Sequence, residues 1–306
     1  MSTGNADTAK GHVQKSGKGA KREIEVAVAL WIDLLGYGSM LEKAGWDPTS
    51  PIAAAARARI ERFQSIVSRF STRKFPSFVM NDGAIFFRDL SPRSRAVTFD
   101  FIRRSVELHR AVNESDRAAE GPGCRAVLAT GFRIRRFIDF SSRLNDGRGQ
   151  LIKKKVESGF IEPAQAINEA LMARHDSDST PELQHNYAMT KAYLAESGGT
   201  KKGFAGPNIF VDAHLFVDGT PAWLKVDETF DWTERGMTGR FHRVDGSVAI
   251  PMAADTGGVR DAFEIASVLS PNPGVLDTIR ASKLGDLRKP ATAAPLPKPR
   301  GGAPGS

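Results

Sequence analysis

A single cysteine, Cys124, is all the thiol chemistry available to this 306-residue chain. It excludes an internal disulfide, and with no Cys or His cluster beside it the residue reads as a small core side chain, so redox chemistry and zinc ribbons drop out. Long apolar runs are missing too. The longest, such as VAVALWI over 26–32, fall far short of the roughly 20 residues a membrane helix needs. The opening MSTGNADTAK lacks the apolar stretch of a signal peptide, and the expectation is a cytoplasmic protein without membrane contact. With 41% hydrophobic and 25% charged residues the chain can build one large core or two small ones, which excludes wholesale disorder.

What is present in excess is positive charge, a net +8, and its placement matters more than its size. Residues 1–22 carry +4 and residues 282–306 carry another +4, so the body between them is electroneutral. Both ends are rich in Gly, Ser, Pro and Lys with little to bury, and they read as disordered tails around one domain over 23–281. A basic face for stable nucleic-acid binding has thereby lost its support. GHVQKSGKG (11–19) looks like a phosphate-binding loop, but its glycine spacing is one residue too long. Gly19 also stands where Ser or Thr should be, and no apolar strand precedes it.

Regular structure is predicted from EIEVAVALWIDLL onward, where Ile24, Val26, Val28, Leu30 and Ile32 alternate with smaller or polar residues up to Asp33. Ile52, Ala56, Ile60, Phe63, Val67 and Phe70 recur at helical steps. SFVMNDGAIFF (77–87) reads as a hairpin with Asp82 at its tip, because Asp-Gly joins two apolar runs. A helix over about 94–113 and a strand CRAVLATG (124–131) follow. The order β-α-β-β-α-β predicts an α+β fold, ferredoxin-like, with an antiparallel sheet carrying helices on one face. Residues 132–185 are expected as an insertion; a helix over 187–197 and strand character over 206–218 come after it.

This topology can set Asp33 beside Asp82. Two adjacent carboxylates repel, and such a pair suits one or two Mg²⁺ or Mn²⁺ ions that bind the phosphates of a nucleoside triphosphate. Singly, Asp33 reads as a helix cap and Asp82 as a turn residue; together, with LLGYGSM opening a helix just after Asp33, they read as a metal site. His109, His185, His214 and His242 lack metal-ligand spacing and receive no role.

WIDLLGYGSM resembles the first metal motif of class III nucleotide cyclases, and VMNDGAIFF resembles their second metal hairpin. CRAVLATG is similar to their central strand, and NYAMTKAYLAE (186–196) to their helix motif, so the resemblance covers most of 25–218. It implies two Mn²⁺ or Mg²⁺ ions held by Asp33, Asp82 and the Leu34 carbonyl, with phosphates cradled by Gly36, Tyr37, Gly38 and Ser39. It also implies a homodimer. Purine cyclases read the base through a Lys and an Asp whose positions here hold Phe78 and Leu183, and their helix Asn and Arg fall at Thr190 and Leu194. This pattern resembles the bacterial pyrimidine cyclases of the Pycsar antiphage systems, whose Ala-Tyr-x-x-Glu-like helix is echoed by Ala192, Tyr193 and Glu196. The resemblance implies a uridylate or cytidylate cyclase that signals to a separate cyclic-nucleotide-activated effector. UTP is placed ahead of CTP. Phe78 would shape the base pocket, and Thr190 and Lys191 would touch substrate. Lys191, Lys201, Lys202, Arg125 and Lys225 are the cations considered for the triphosphate. A cyclase-like domain that no longer catalyses, and an adenylate cyclase with unusual base recognition, are the alternatives.

Overall fold

The computed structural model describes residues 23–135, 150–163, 165–166, 183–245 and 257–280. The basic ends, the loop-like motif at 11–19 and most of 163–175 lie outside these. The chain divides into two compact units; the sheet described here belongs to the one formed by Glu23–Arg135 and Ser179–Ser306. In the other, residues 150–157 are helical.

Strand β1 (Glu23–Leu34) is the centre of the sheet, and its alternation explains why. Val26, Val28, Leu30, Ile32 and Leu34 face one hydrophobic cluster, while Ala27, Ala29 and Trp31 face a second on the opposite side. A strand buried on both sides needs apolar residues at consecutive positions, and this stretch supplies them. Helix α1 (Tyr37–Lys43) follows directly, then α2 (Pro51–Phe70), begun by Pro51 and by the Ser50 side chain accepting from Ala53 N–H at 3.1 Å. Next come β2 (Ser77–Met80), β3 (Gly83–Asp89), α3 (Arg95–Arg117) and β4 (Cys124–Arg135). Helix α4 (Tyr187–Gly198), β5 (Ile209–Asp212), the hairpin β6 (Val226–Glu234) and β7 (Met237–Val244), and helices α5 (Ala262–Leu269) and α6 (Pro273–Arg280) complete the unit.

The seven strands lie in the order β2-β3-β1-β4-β5-β7-β6. The first four reproduce the expected β-α-β-β-α-β arrangement, and the α+β class holds. Two details of the expectation are corrected. The sheet is mixed, because β4 and β5 run parallel. Helices cover both faces: α2, α3, α5 and α6 pack on the side of Leu30 and Ile32, whereas α4 places Ala188, Ala192 and Ala195 against Ala27 and Ala29 on the other. The crossover from β4 to parallel β5 requires an intervening element, and α4 is that element. The sheet also claims the start of the expected insertion, since β4 continues to Arg135.

Small residues let α4 approach so closely. A Cβ on Gly131 would lie 2.7 Å from Ala188 N, a backbone atom that cannot swing aside. Gly131→Ala should therefore cost about 1–3 kcal/mol, read as a lower urea midpoint at unchanged slope, through displacement of α4 from β4.

Candidate functional site

Strand pairing places the two acids. Asp33 lies opposite Gly83 in the β1–β3 register, and the Leu34 N–H donates to the Asp82 carbonyl at 3.1 Å, which draws the hairpin tip to the end of β1. Met80 pairs with Gly83, so the two-residue turn is Asn81–Asp82 rather than Asp-Gly, and Asn81 carries the positive φ of 54° that the tight turn demands. Gly83 leaves room for the carboxylate above it: a Cβ there would stand 3.1 Å from Asp33 Oδ1. Burial, then the negative charges of Glu196 and Asp82, push the Asp33 pKa up to about 7, with Arg125 and Arg59 opposing. Such a carboxyl either keeps its proton or takes a cation.

The donor set fits a hard divalent ion such as Mg²⁺ or Mn²⁺, being made of carboxylate oxygen beside strand-end backbone. Among the described residues no group of three or more His, Cys, Asp and Glu could hold a metal, so side-chain ligation here rests on two acids.

Arg125 pairs with Asp33 across β1–β4, but its guanidinium is engaged: Nε donates to Glu196 Oε1 at 3.0 Å and Nη1 to the Phe204 carbonyl at 2.9 Å. Behind the site a second arginine holds the turn that follows Asp33. Arg59, 4% exposed, donates to both oxygens of Asp116 at 2.8 Å, to the Leu35 carbonyl at 2.8 Å and to the Gly123 carbonyl at 3.2 Å. Asp116 in turn accepts from Gly123 N–H at 2.8 Å. The apolar stripe of α2 passes through Ala56, Arg59 and Phe63, and an arginine at a stripe position was the available signal for this anchor. Ile60, which the helical spacing puts in the stripe, is only half-buried.

The remaining expected residues scatter. Gly36, in the left-handed region at φ 73°, caps α1; Tyr37 is buried, and Gly38 and Ser39 are exposed in the first turn. Phe78 is 41% exposed and pairs with Ile85, which pairs with Trp31, so it shares the sheet face of Asp33. Thr190 is exposed and its hydroxyl donates back to the Asn186 carbonyl. Leu183 and Leu194 are half-buried against the α4-side cluster, and Tyr193 stands edge-on to Trp31 at 5.2 Å. Lys191 is turned into the interior, its Nζ 2.6 Å from the fully buried Asp212, and is not free for a phosphate in this structure. Lys202 pairs with Glu234, Lys225 with Asp245, and Lys201 is exposed. Cys124 is fully buried, and burial pushes its thiol pKa up, as suits an inert core residue.

No family model and no curated protein matches the chain. Among solved structures, the guanylyl cyclase Cya2 is similar at 11% identity and a TM-score of 0.46, over 79% of this chain and 100% of that one. The guanylate cyclase domain of RhGC from Catenaria anguillulae in complex with GTP aligns at 11% and 0.39, over 74% and 98%. A bacterial light-regulated adenylyl cyclase aligns at 11% and 0.41, over 85% of this chain and 59% of that chain. Likenesses this distant carry no argument by themselves.

Proposed function

We propose that this chain is a nucleotide cyclase of the class III type, acting on a pyrimidine nucleoside triphosphate. The observation that carries the reading is the pairing of Asp33 with Gly83, which sets two acids side by side and leaves the Asp33 carboxyl without a dedicated cation. The reaction is attack of the ribose 3′-oxygen on the α-phosphorus, with pyrophosphate leaving. Asp33, Asp82 and the Leu34 carbonyl would hold the two Mg²⁺ or Mn²⁺ ions, which when bound neutralise the triphosphate and lower the pKa of the attacking hydroxyl. Main-chain N–H groups from Gly36 to Ser39 begin α1 and can meet phosphate oxygens. Arg125, already balanced by Glu196, supplies orientation more than free charge.

Phe78 and Leu183, at the two places where a purine would be read, offer apolar surface only, and this supports a pyrimidine base; UTP is taken ahead of CTP. Phe78 on β2 and Tyr193 on α4 are large exposed aromatic side chains, which supports a homodimer. No helix among the described residues is long and apolar enough to cross a membrane. A cytoplasmic second-messenger role in antiphage defence, through a separate effector, completes the reading.

Incubation with each of the four triphosphates and Mn²⁺ tests it, and the expected result is cyclic UMP, or else cyclic CMP, with release of pyrophosphate. Preferential cyclic AMP would overturn the base assignment. The exposed Thr190 and half-buried Leu194 favour a second reading, a cyclase-like domain that binds without turnover; triphosphate binding with no pyrophosphate release would establish it.

A further inference from the structure

Apart from the paired acids, a cavity of about 620 Å³ opens between the β6–β7 hairpin and the segment that follows β5. That volume lies within the roughly 300–1,000 Å³ of small-molecule sites. His242 lines it and is 6% exposed. Its Nδ1 is 2.8 Å from Thr229 Oγ1, while its Nε2 has no hydrogen-bond partner among the described residues. The Thr229 bond takes up only Nδ1, which leaves Nε2 available for a further bond. His214 lines the same cavity, and its ring is oriented by Nδ1 bonding Asp212 at 2.8 Å. Asp212 is itself fixed by Lys191 at 2.6 Å and by Thr130 N–H at 3.1 Å, so this imidazole is held from behind by a rigid network.

The charge around the cavity is not balanced. Arg260 donates to the carbonyls of His214 and Val217 at 3.3 and 2.9 Å, neutral acceptors, and no carboxylate among the described residues pairs with it. Asp231 is the one carboxylate among the lining residues, and Arg240 already binds it at 2.7 Å. With Arg240 balanced by Asp231, the charge of Arg260 is the one that repels a metal cation and favours an oxyanion. His242 on β7, His214 after β5 and Arg260 before α5 line the cavity together, and imidazole with guanidinium is a donor set suited to phosphate oxygens. Phe216, Val217 and Val268 add an apolar wall for an organic body.

We infer that this cavity binds a small organic phosphate, at a site separate from Asp33 and Asp82. The site bears on α4 as well, because Asp212 orients His214 and anchors Lys191 of that helix with the same carboxylate.

Isothermal titration with ribose 5-phosphate, uridine 5′-monophosphate and citrate, in EDTA to remove divalent ions, tests this. At least one of the two phosphates should bind, more tightly than citrate. Arg260→Gln and His242→Gln should each weaken it about tenfold, and Asp33→Asn should leave it unchanged. The inference is overturned if neither phosphate binds, if citrate binds better, if Asp33→Asn abolishes binding, or if the cavity variants bind like the parent. Should Arg260→Gln lower the melting midpoint, His242→Gln and His214→Gln, whose amides can keep the bonds to Thr229 and Asp212, decide.

Discussion

Asp33→Asn should abolish the cyclisation proposed above, with a fall of about 10³-fold or more, and at the same time make the protein more stable. The two effects have one cause. The Asp33 carboxyl is pushed up to about 7 by burial and by Glu196 and Asp82, so near pH 8 the folded chain carries a charge that costs free energy. An acid with a raised folded pKa favours folding below its unfolded value of 3.8, and that contribution is lost as pH rises through about 7. Asparagine keeps the shape and removes the charge. The gain should therefore be on the order of 1–3 kcal/mol at pH 8 and vanish near pH 4, measured by denaturant unfolding at both values. Mn²⁺ should raise the melting midpoint of the parent and leave that of the variant in place, a readout independent of turnover. A variant less stable than the parent at pH 8 would contradict this account of the site.

Asp212→Asn should cost about 3–5 kcal/mol of stability, as expected when one partner of a buried ion pair is removed. Asp212 is fully buried, and removal of its charge leaves the Lys191 ammonium, 5% exposed, with no carboxylate. The second change Lys191→Met should recover much of the loss, because the uncompensated ion is gone; a double variant as unstable as the single one would show that the backbone bonds of Asp212 to Thr130 and His214 matter more than the pair. Burial pulls the Asp212 pKa up, but the Lys191 charge and the hydrogen bonds from His214 and Lys191 outweigh it and hold it at about 2. A depressed folded value gives stability that is present above pH 3.8 and lost as pH falls toward 2, about 2 kcal/mol in size. Acid unfolding of the parent should be steeper across that window than that of the double variant.

These two acids differ in how far sequence alone exposes them. Asp33 closes a strand whose alternation is visible residue by residue, and Asp82 sits in a turn flanked by apolar runs, so local pattern and topology suffice to bring them together. Asp212 ends a four-residue strand and meets Lys191 from 21 positions away. Arg59 meets Asp116 across 57. No local periodicity encodes a partnership at such separations, and a long basic side chain is ordinarily taken as solvated until its partner is seen. The same limit placed Lys191 among the substrate contacts, because a cation on a motif helix looks available until the interior acid appears. Helix α4 illustrates another limit. Its Ala188, Ala192 and Ala195 carry little hydrophobic signal, yet they, with Gly131, set how near the helix can come to the sheet.

Arg59 also restrains the turns on which the site is built. Its guanidinium fork ties two turns distant in sequence, Leu35 and Gly123, to one carboxylate, and a fork of fixed geometry cannot follow them if they separate. The turn after Asp33 is in that sense a built floor and not a hinge. If the proposed nucleotide binds here, adjustment around it falls to the β2–β3 tip and α4, the elements that carry Asp82 and Glu196, and not to the turns that Arg59 ties together.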